Sequence, residues 1–195
     1  MKKTVAMITL LALTTATMTG CGIVTAVPIG QEAQYTGATT FDASAEAADS
    51  WGAISSEITG KAEDLAGLMG AGTTKGDVYS VSFSGKVNEY NTDTPKGYLD
   101  ITVDGVSEAV HVSVGKVFPG TTVRDAQTVK AYQDFTNQTE WSQYAKTINE
   151  NVKTQVVEPL GDFSDAAGKT ATVVGCFSED GSGTLVITPV SLVLE

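Results

Sequence analysis

The chain has 195 residues, of which 42% are apolar and 18% are charged, and its formal net charge at pH 7 is -11. This composition is typical of one globular domain with short extensions, and it excludes an intrinsically disordered chain. The negative charge disfavours binding to nucleic acid, and attachment to an anionic bilayer would need something other than a basic patch.

The first 20 residues predict a secretory signal peptide. A basic start at Met1–Lys3 precedes an uncharged, mostly apolar run from Val5 to Met18. That run is too short for a transmembrane helix, which needs about 20 apolar residues. The segment ends in Met18-Thr19-Gly20-Cys21, which resembles the bacterial lipobox, and this implies that the Cys21 thiol carries a diacylglyceryl group. The alternative is a plain secreted protein with an incidental cysteine at the signal junction.

Residues 21–40 predict a flexible tether that starts at the lipidated cysteine. They are rich in Gly, Thr, Ala and Gln and have no sustained helical or strand period. A coil of this length spans roughly 25 Å on average, enough to hold a domain clear of the lipid head groups. We therefore expect an extracytoplasmic protein, lipid-anchored to the bacterial cell membrane and on the periplasmic side if the cell has two membranes. A single globular domain is predicted over residues 41–195.

A helix is predicted at the start of this domain, with Asp42 or Ser44 as its N-cap and Gly70–Gly72 at its end. Apolar residues recur along it at steps of three and four, which favours a core-facing stripe: Trp51, Ile54, Ile58, Leu65 and Leu68. Gly52 and Gly60 each cost a helix interior about 1 kcal/mol relative to Ala, so a break is expected there if anywhere.

Three strands with alternating apolar residues are predicted next, at Val78–Tyr90, Tyr98–Val103 and Ala109–Val114. Asp104-Gly105 predicts a hairpin turn between the second and the third. Gly85 stands where a bulky strand residue would be expected, which indicates a bulge or a bend in a barrel.

The remainder predicts a helix from Thr139 to Val157 and two strands, Lys169–Phe177 and Thr184–Leu194. Pro189 in the last strand requires an edge or a bulge. The element order is therefore helix, three strands, helix, two strands. We predict a mainly β protein with helices (α+β), built on a five-stranded OB-like barrel, although a two-layer sandwich could share this order.

Four short motifs carry a likeness to a known family. They are Gly120–Ala126, Asp134–Gln138, Gly168–Thr170 and Ile187–Val190. They resemble the predicted periplasmic lipoproteins that are catalogued as domain of unknown function 2291, and the resemblance covers nearly the whole chain. Members often lie beside genes for sugar-type ABC transporters. The resemblance therefore implies a role near solute uptake, with transporter components or a solute-binding protein as partners, and it implies no activity.

The known catalytic and metal-binding motifs are incomplete in this sequence. Gly168-Lys169-Thr170 lacks the upstream Gly of a phosphate-binding loop. One His and one Cys in the folded domain cannot form a His/Cys zinc site, so we expect no metal and no cofactor. We interpret His111 as a strand-face residue and Cys176 as a buried thiol, because Cys21 would be lipidated.

The irregular stretch Gly115–Trp141 contains the densest set of polar side chains that packing does not explain. The candidate residues are Arg124, Asp125, Asp134, Asn137 and Gln138. In one interpretation they are a structural network, in which Arg124 pairs with Asp125 or Asp134 while the others satisfy the backbone of a long connection. In the other they form a ligand or partner site for polyols or carboxylates. Nearby aromatic rings could then stack on a sugar: Tyr132, Trp141 and Tyr144.

The sequence thus predicts a lipid-anchored, non-catalytic binding or interaction module. Its expected partners are the membrane, through the anchor, and components of an ABC transporter or its solute-binding protein, but not nucleic acid. The alternative from another class is an envelope enzyme that acts on saccharides through the carboxylates of Asp125 and Asp134, although nothing in the spacing places the two across one glycosidic bond. A third class is a purely structural envelope protein.

Overall fold

A five-stranded barrel positions every other element of residues 41–195, the part of the chain that this computed structural model describes. The predicted signal peptide, Cys21 and the tether over residues 21–40 lie outside the described residues. Within residues 41–195, no helix is both long enough and apolar enough to cross a bilayer.

The barrel closes through one parallel and four antiparallel pairings. Its strands are β1 (Val78–Asn91), β2 (Tyr98–Thr102), β3 (Ala109–Ser113), β4 (Thr170–Ser178) and β5 (Thr184–Leu194). β2 lies antiparallel between β1 and β3, and β4 lies antiparallel between β5 and β1. β5 runs parallel to β3, which completes the ring. The predicted OB-like barrel and its element order are therefore confirmed.

Two glycines permit the strands to approach each other closely where the barrel curls. A Cβ atom on Gly85 would lie 2.5 Å from the carbonyl oxygen of Thr102, and one on Gly175 would lie 2.5 Å from that of Thr188. Both distances are below any real Cβ contact, so only glycine fits at either position.

Two bulges lie near these glycines. In β1 the register against β2 skips Asn88, so the bulge is three residues beyond Gly85 and not at it. In β5 the register against β4 skips Val190, directly after Pro189. A bulge is where a strand tolerates a residue without an N–H group, as the sequence predicts for Pro189.

The predicted first helix is wrong in one respect, because it is two helices. Helix α1 (Ala43–Lys61) begins at the N-cap Asp42, whose carboxylate accepts from two backbone N–H groups, and helix α2 spans Leu65–Ala71. Between them Glu63–Asp64 pairs parallel to β1, and the Asp64 side chain then caps α2. The break begins directly after Lys61, one residue beyond Gly60, and the pairing with β1 occupies it.

The connection from β3 to β4 contains the second group of helices. They are α3 (Thr122–Ala126), a 3-10 turn (Tyr132–Asp134), α4 (Gln138–Asn151), a π-helical turn (Val152–Val157) and a 3-10 turn (Glu158–Leu160). The predicted helix over 139–157 is confirmed in extent, but its last six residues have the wider π geometry. Gly161, with φ +75°, follows the last turn.

Two apolar clusters form the core of residues 41–195. The first fills the barrel with side chains from all five strands, among them Val81, Phe83, Leu99, Ile101, Val110, Val112, Val173, Phe177, Leu185 and Ile187. The second joins α1, α3 and α4 to the barrel and includes Trp51, Ile54, Ile58, Val123, Phe135, Tyr144, Ile148 and Cys176. The stretch Gly115–Trp141 contributes Val123, Ala126 and Phe135 to this second cluster.

Candidate functional site

Arg124 and Asp125 pair with each other in α3. The Nε and Nη2 atoms of Arg124 donate to Asp125 Oδ1 at 2.8 and 2.6 Å, and the hydroxyl of Thr121 donates to Asp125 Oδ2. The Arg124 guanidinium carbon lies 4.5 Å from the ring centroid of Trp141, and only 12% of the Arg124 side chain is exposed. Both carboxylate oxygens are therefore bonded within the protein, and the guanidinium is stacked on an aromatic ring.

Of the other three predicted site residues, Asp134 and Asn137 form hydrogen bonds with backbone groups close to them in the sequence. Asp134 Oδ2 accepts from the backbone N–H of Ala131 at 2.8 Å. Asn137 is the N-cap of α4, and its Oδ1 accepts from two backbone N–H groups in the first turn at 2.9 and 3.0 Å. Gln138 is exposed at the first position of α4. Among the described hydrogen bonds, none joins the Arg124–Asp125 pair to these three residues.

The aromatic residues near the site pack mainly on one another. Trp141 lies 5.0 Å from Phe135 and 5.8 Å from Tyr144 between ring centroids, and the Tyr144 ring is nearly parallel to it at 16°. Tyr144 is fully buried, whereas Tyr132 is 45% exposed and meets Trp141 edge-on at 6.5 Å. Of the three rings predicted to stack on a ligand, Tyr132 alone is largely exposed to solvent.

Gln127 stabilises the turn that follows α3, a role that neither interpretation of the sequence predicted. Its side chain is buried, donates to the carbonyl oxygens of Arg124 and Lys130 at 2.9 and 2.8 Å, and accepts from the N–H of Lys130 at 2.8 Å. Asn149 of α4 acts similarly, donating to two carbonyl oxygens of the connection at 2.9 Å each. Buried amides that satisfy all their partners stabilise irregular backbone.

Two further contacts attach the connection to α1. The backbone N–H of Thr128 donates to the Glu57 carboxylate at 2.8 Å, and Lys130 forms an ion pair with Glu46. Desolvation alone would raise the pKa of Glu57, but hydrogen bonds from Lys61 and Thr128 outweigh it and lower that pKa. The hydrogen bond to Glu46 raises the pKa of Lys130. Neither contact was predicted, because the partners are more than seventy residues apart in sequence.

Four cavities lined by described residues lie away from the predicted site. Their volumes are about 150 to 460 Å³, and none of these four is lined by Asp125 or Asp134. The largest, about 460 Å³, lies where the β1–β2 loop meets the residues after β3. A glycosidase needs two carboxylates that face one cleft about 5–10 Å apart, and Asp125 and Asp134 border none of these four cavities.

His111 and Cys176 occupy the positions that the sequence predicts. His111 is a half-buried residue of β3 and its ring stacks on Tyr98 with centroids 3.9 Å apart. Cys176 is a buried free thiol, and burial raises its pKa to about 12. Within residues 41–195, no group of three or more His, Cys, Asp or Glu side chains is placed to hold a metal ion.

Comparison with known proteins gives a family and a fold. The family model described as "Predicted periplasmic lipoprotein (DUF2291)" matches residues 11–193. A crystal structure of an OB-fold protein from Thermotoga maritima MSB8 is similar, with a TM-score of 0.65 and 15% identity, covering 80% of this chain and 100% of that chain. At this identity the likeness concerns the fold alone. No curated protein matches the chain significantly.

Proposed function

The chain belongs to the predicted periplasmic lipoproteins of domain of unknown function 2291 and is an extracytoplasmic, lipid-anchored protein, and from this premise we propose that its domain is a non-catalytic interaction module. The partner we propose is a sugar-type ABC transporter or its solute-binding protein. The proposed anchor is Cys21, exposed by removal of residues 1–20, and residues 21–40 are the proposed tether.

The observation that carries the non-catalytic part of this proposal is the internal use of the candidate carboxylates. Asp125 is bonded through both oxygens to Arg124 and Thr121, and Asp134 caps its own turn. A carboxylate that acts as a nucleophile or a general acid must reach the substrate. Asp125 could do so only after it released Arg124 and Thr121.

The proposed accessory role depends more on where the lipid anchor places the domain than on the strength of its contacts with a partner. A lipid anchor with two or more acyl chains holds a protein on a bilayer almost permanently. The proposed tether restricts the domain to roughly 25 Å from its attachment point on average. A partner in the same membrane is thereby met at a high effective concentration, so a weak interface of modest area is sufficient.

The test is capture of the lipidated protein, cross-linked in its own membranes, followed by mass spectrometry of the recovered partners. We expect subunits of an ABC transporter or its solute-binding protein, recovered well above the level from membranes without the protein. The matched control is Cys21→Ala, which keeps the domain but removes the proposed lipid, and it should recover much less. Absence of every transporter component from the wild-type sample would reject the accessory role.

The enzyme alternative is tested separately with Asp125→Asn and Asp134→Asn. The purified wild-type protein is incubated with envelope saccharides, and released reducing ends are measured. Hydrolysis by the wild type that both variants abolish, without loss of folding, would overturn the non-catalytic proposal.

A further inference from the structure

Two adjoining cavities open at one end of the barrel. The larger, about 460 Å³, is bordered by the β1–β2 loop, and the smaller, about 150 Å³, extends towards the end of the α4 region. They share Tyr90, Gly115 and Lys116. The larger volume is within the range of about 300–1,000 Å³ that is usual for small-molecule sites, and the mouths of barrels are a common place for them.

The floor of the larger cavity is fixed by contacts between two loops. Lys116 N donates to Pro95 O at 2.9 Å, and Val114 N donates to Gly97 O at 3.1 Å. A Cβ atom on Gly115 would lie 2.1 Å from the carbonyl oxygen of Lys96, so only glycine allows the loops to approach this closely. The site is therefore shaped before any ligand arrives, which reduces the entropy lost on binding.

The polar groups of the larger cavity are oriented as well. Asn91 Nδ2 donates to Asp93 Oδ2 at 3.3 Å and Asn91 Oδ1 accepts from Asp93 N at 3.1 Å, which holds the Asp93 side chain at the cavity. The hydroxyl residues Thr92 and Thr94 lie on either side of it. Tyr90 packs against the ring of Phe163, with centroids 5.7 Å apart, so the aromatic wall is also held in place.

The charges around the two cavities disfavour an anionic ligand. Lys116 and Lys153 are matched by Asp93, Glu158 and Asp162, and Lys153 is already paired with two glutamates at 2.7 and 3.6 Å. The whole chain adds a net charge of -11, which repels phosphate and nucleic acid. A neutral ligand is favoured, and it must offer several hydroxyl groups to use a carboxylate, an ammonium group and two threonines together.

We propose that these two cavities bind a short neutral saccharide. Asp93 accepts hydrogen bonds from sugar hydroxyls, Lys116 donates to sugar oxygens, and the Tyr90 ring packs against the apolar face of the sugar. The loop between the first two strands is one of the elements with which OB-folds bind oligonucleotides and oligosaccharides, and here it borders the larger cavity. None of the five polar residues predicted from the sequence takes part.

This inference rests on the proposed binding role, but its test needs no partner protein. The full-length protein is purified in nanodiscs and titrated by calorimetry and saturation-transfer NMR with glucose, galactose, maltose and cellobiose. Inorganic phosphate and a short single-stranded oligonucleotide are titrated in parallel. We expect saturable binding of at least one sugar, and none of the two anions.

Two variants locate the binding. Asp93→Asn and Lys116→Ala should each weaken the sugar by about tenfold, because each removes one hydrogen bond to a charged group. Lys75→Ala and Glu108→Gln are the matched controls, since they change the same charges in a separate cavity of about 340 Å³. They should change the affinity less than about twofold, and all four variants should keep the wild-type unfolding temperature.

Three results would overturn the proposal: no saturable binding of any sugar, equal binding by all four variants, or tighter binding of phosphate or the oligonucleotide. Sugar binding without capture of a transporter would reject the proposed partner and leave the saccharide site standing. Capture of a transporter without sugar binding would reject the saccharide site and leave the proposed partner standing.

Discussion

The hydroxyl groups of Ser50 and Tyr144 share a hydrogen bond of 2.7 Å in the buried interface between α1 and α4. The two residues are not equally dependent on it. Ser50 also donates to the carbonyl oxygen of Glu46 at 2.8 Å, whereas Tyr144 has no other partner among the described hydrogen bonds.

Because Ser50 has a second hydrogen bond and Tyr144 has none among those described, the two substitutions that remove their shared bond should differ in the stability they cost. Tyr144→Phe should lower the free energy of unfolding by about 1 kcal/mol, since Ser50 keeps its second bond. Ser50→Ala also removes a single oxygen atom, but it leaves the buried Tyr144 hydroxyl without a partner, which costs about 1–3 kcal/mol. Denaturant unfolding of both variants measures the order. A larger loss for Tyr144→Phe would contradict this explanation.

Replacing a barrel glycine with alanine should change the free energy of unfolding in the opposite direction to the same replacement in a helix. Gly85→Ala should destabilise the protein by about 2 kcal/mol or more, because the new Cβ meets backbone at 2.5 Å. Gly52→Ala, in α1 with no atom within 4 Å of the new Cβ, should stabilise it by about 1 kcal/mol. Unfolding curves in denaturant check both. If both substitutions left the free energy of unfolding unchanged, the backbone of β2 could not lie as close to Gly85 as the structure places it.

Arg124→Lys separates the structural interpretation of the candidate site from the ligand interpretation. Lysine keeps the charge but loses the planar contact with Trp141 and the two-atom bond to Asp125. We expect a loss of about 1 kcal/mol and faster amide hydrogen exchange over residues 118–137. Lys146→Ala, an exposed residue of α4, is the control and should change neither quantity. Unchanged stability combined with lost partner capture would instead favour a binding role for Arg124.

Cys176 predicts a loss of stability at alkaline pH. Its pKa is raised by burial from 9.0 to about 12, so above pH 9 the unfolded chain releases a proton that the folded chain retains. The free energy of unfolding therefore falls as pH rises, by up to about 1.4 kcal/mol per pH unit, until the folded thiol itself titrates. Between pH 8 and 11, Cys176→Ala should lose about 2–3 kcal/mol less than the wild type. Because Tyr144 is present in both proteins, its own titration cancels, and equal losses would show that the thiol is not shielded.

The sequence was most informative where one residue pattern decides a structure locally. The strand Thr184–Leu194 has the predicted bounds because buried and exposed residues alternate towards both of its ends, and the run of buried residues Ile187–Val190 interrupts this alternation at the bulge. Gly60 indicated a weak point, but the exact end of the helix at Lys61 could not be predicted, since Ala62 and Glu63 are ordinary helix residues. They leave the helix because Glu63 pairs with Val81 of β1, a contact that only the folded chain brings about.

The candidate site was likewise predictable from the sequence only in part. The concentration of polar residues in the long connection was visible, but the choice of Asp125 over Asp134 as the partner of Arg124 depends on the short helix α3. The cavity at the barrel mouth was not visible at all. Asp93 and Lys116 lie in separate loops with unremarkable turn residues, and the backbone contact between those loops brings them together.

The position of β5 has a consequence for how the protein reaches its compartment. β5 pairs with β3 on one side and with β4 on the other, so the barrel cannot close without it. It is nevertheless the last of the five strands to be synthesised and exported. Before residues 184–194 emerge, β3 and β4 each lack a neighbour and the barrel interior stays open to water. A chain that is threaded through a narrow membrane channel must remain unfolded during export. This topology postpones the cooperative closure of the barrel until translocation of the domain is nearly complete.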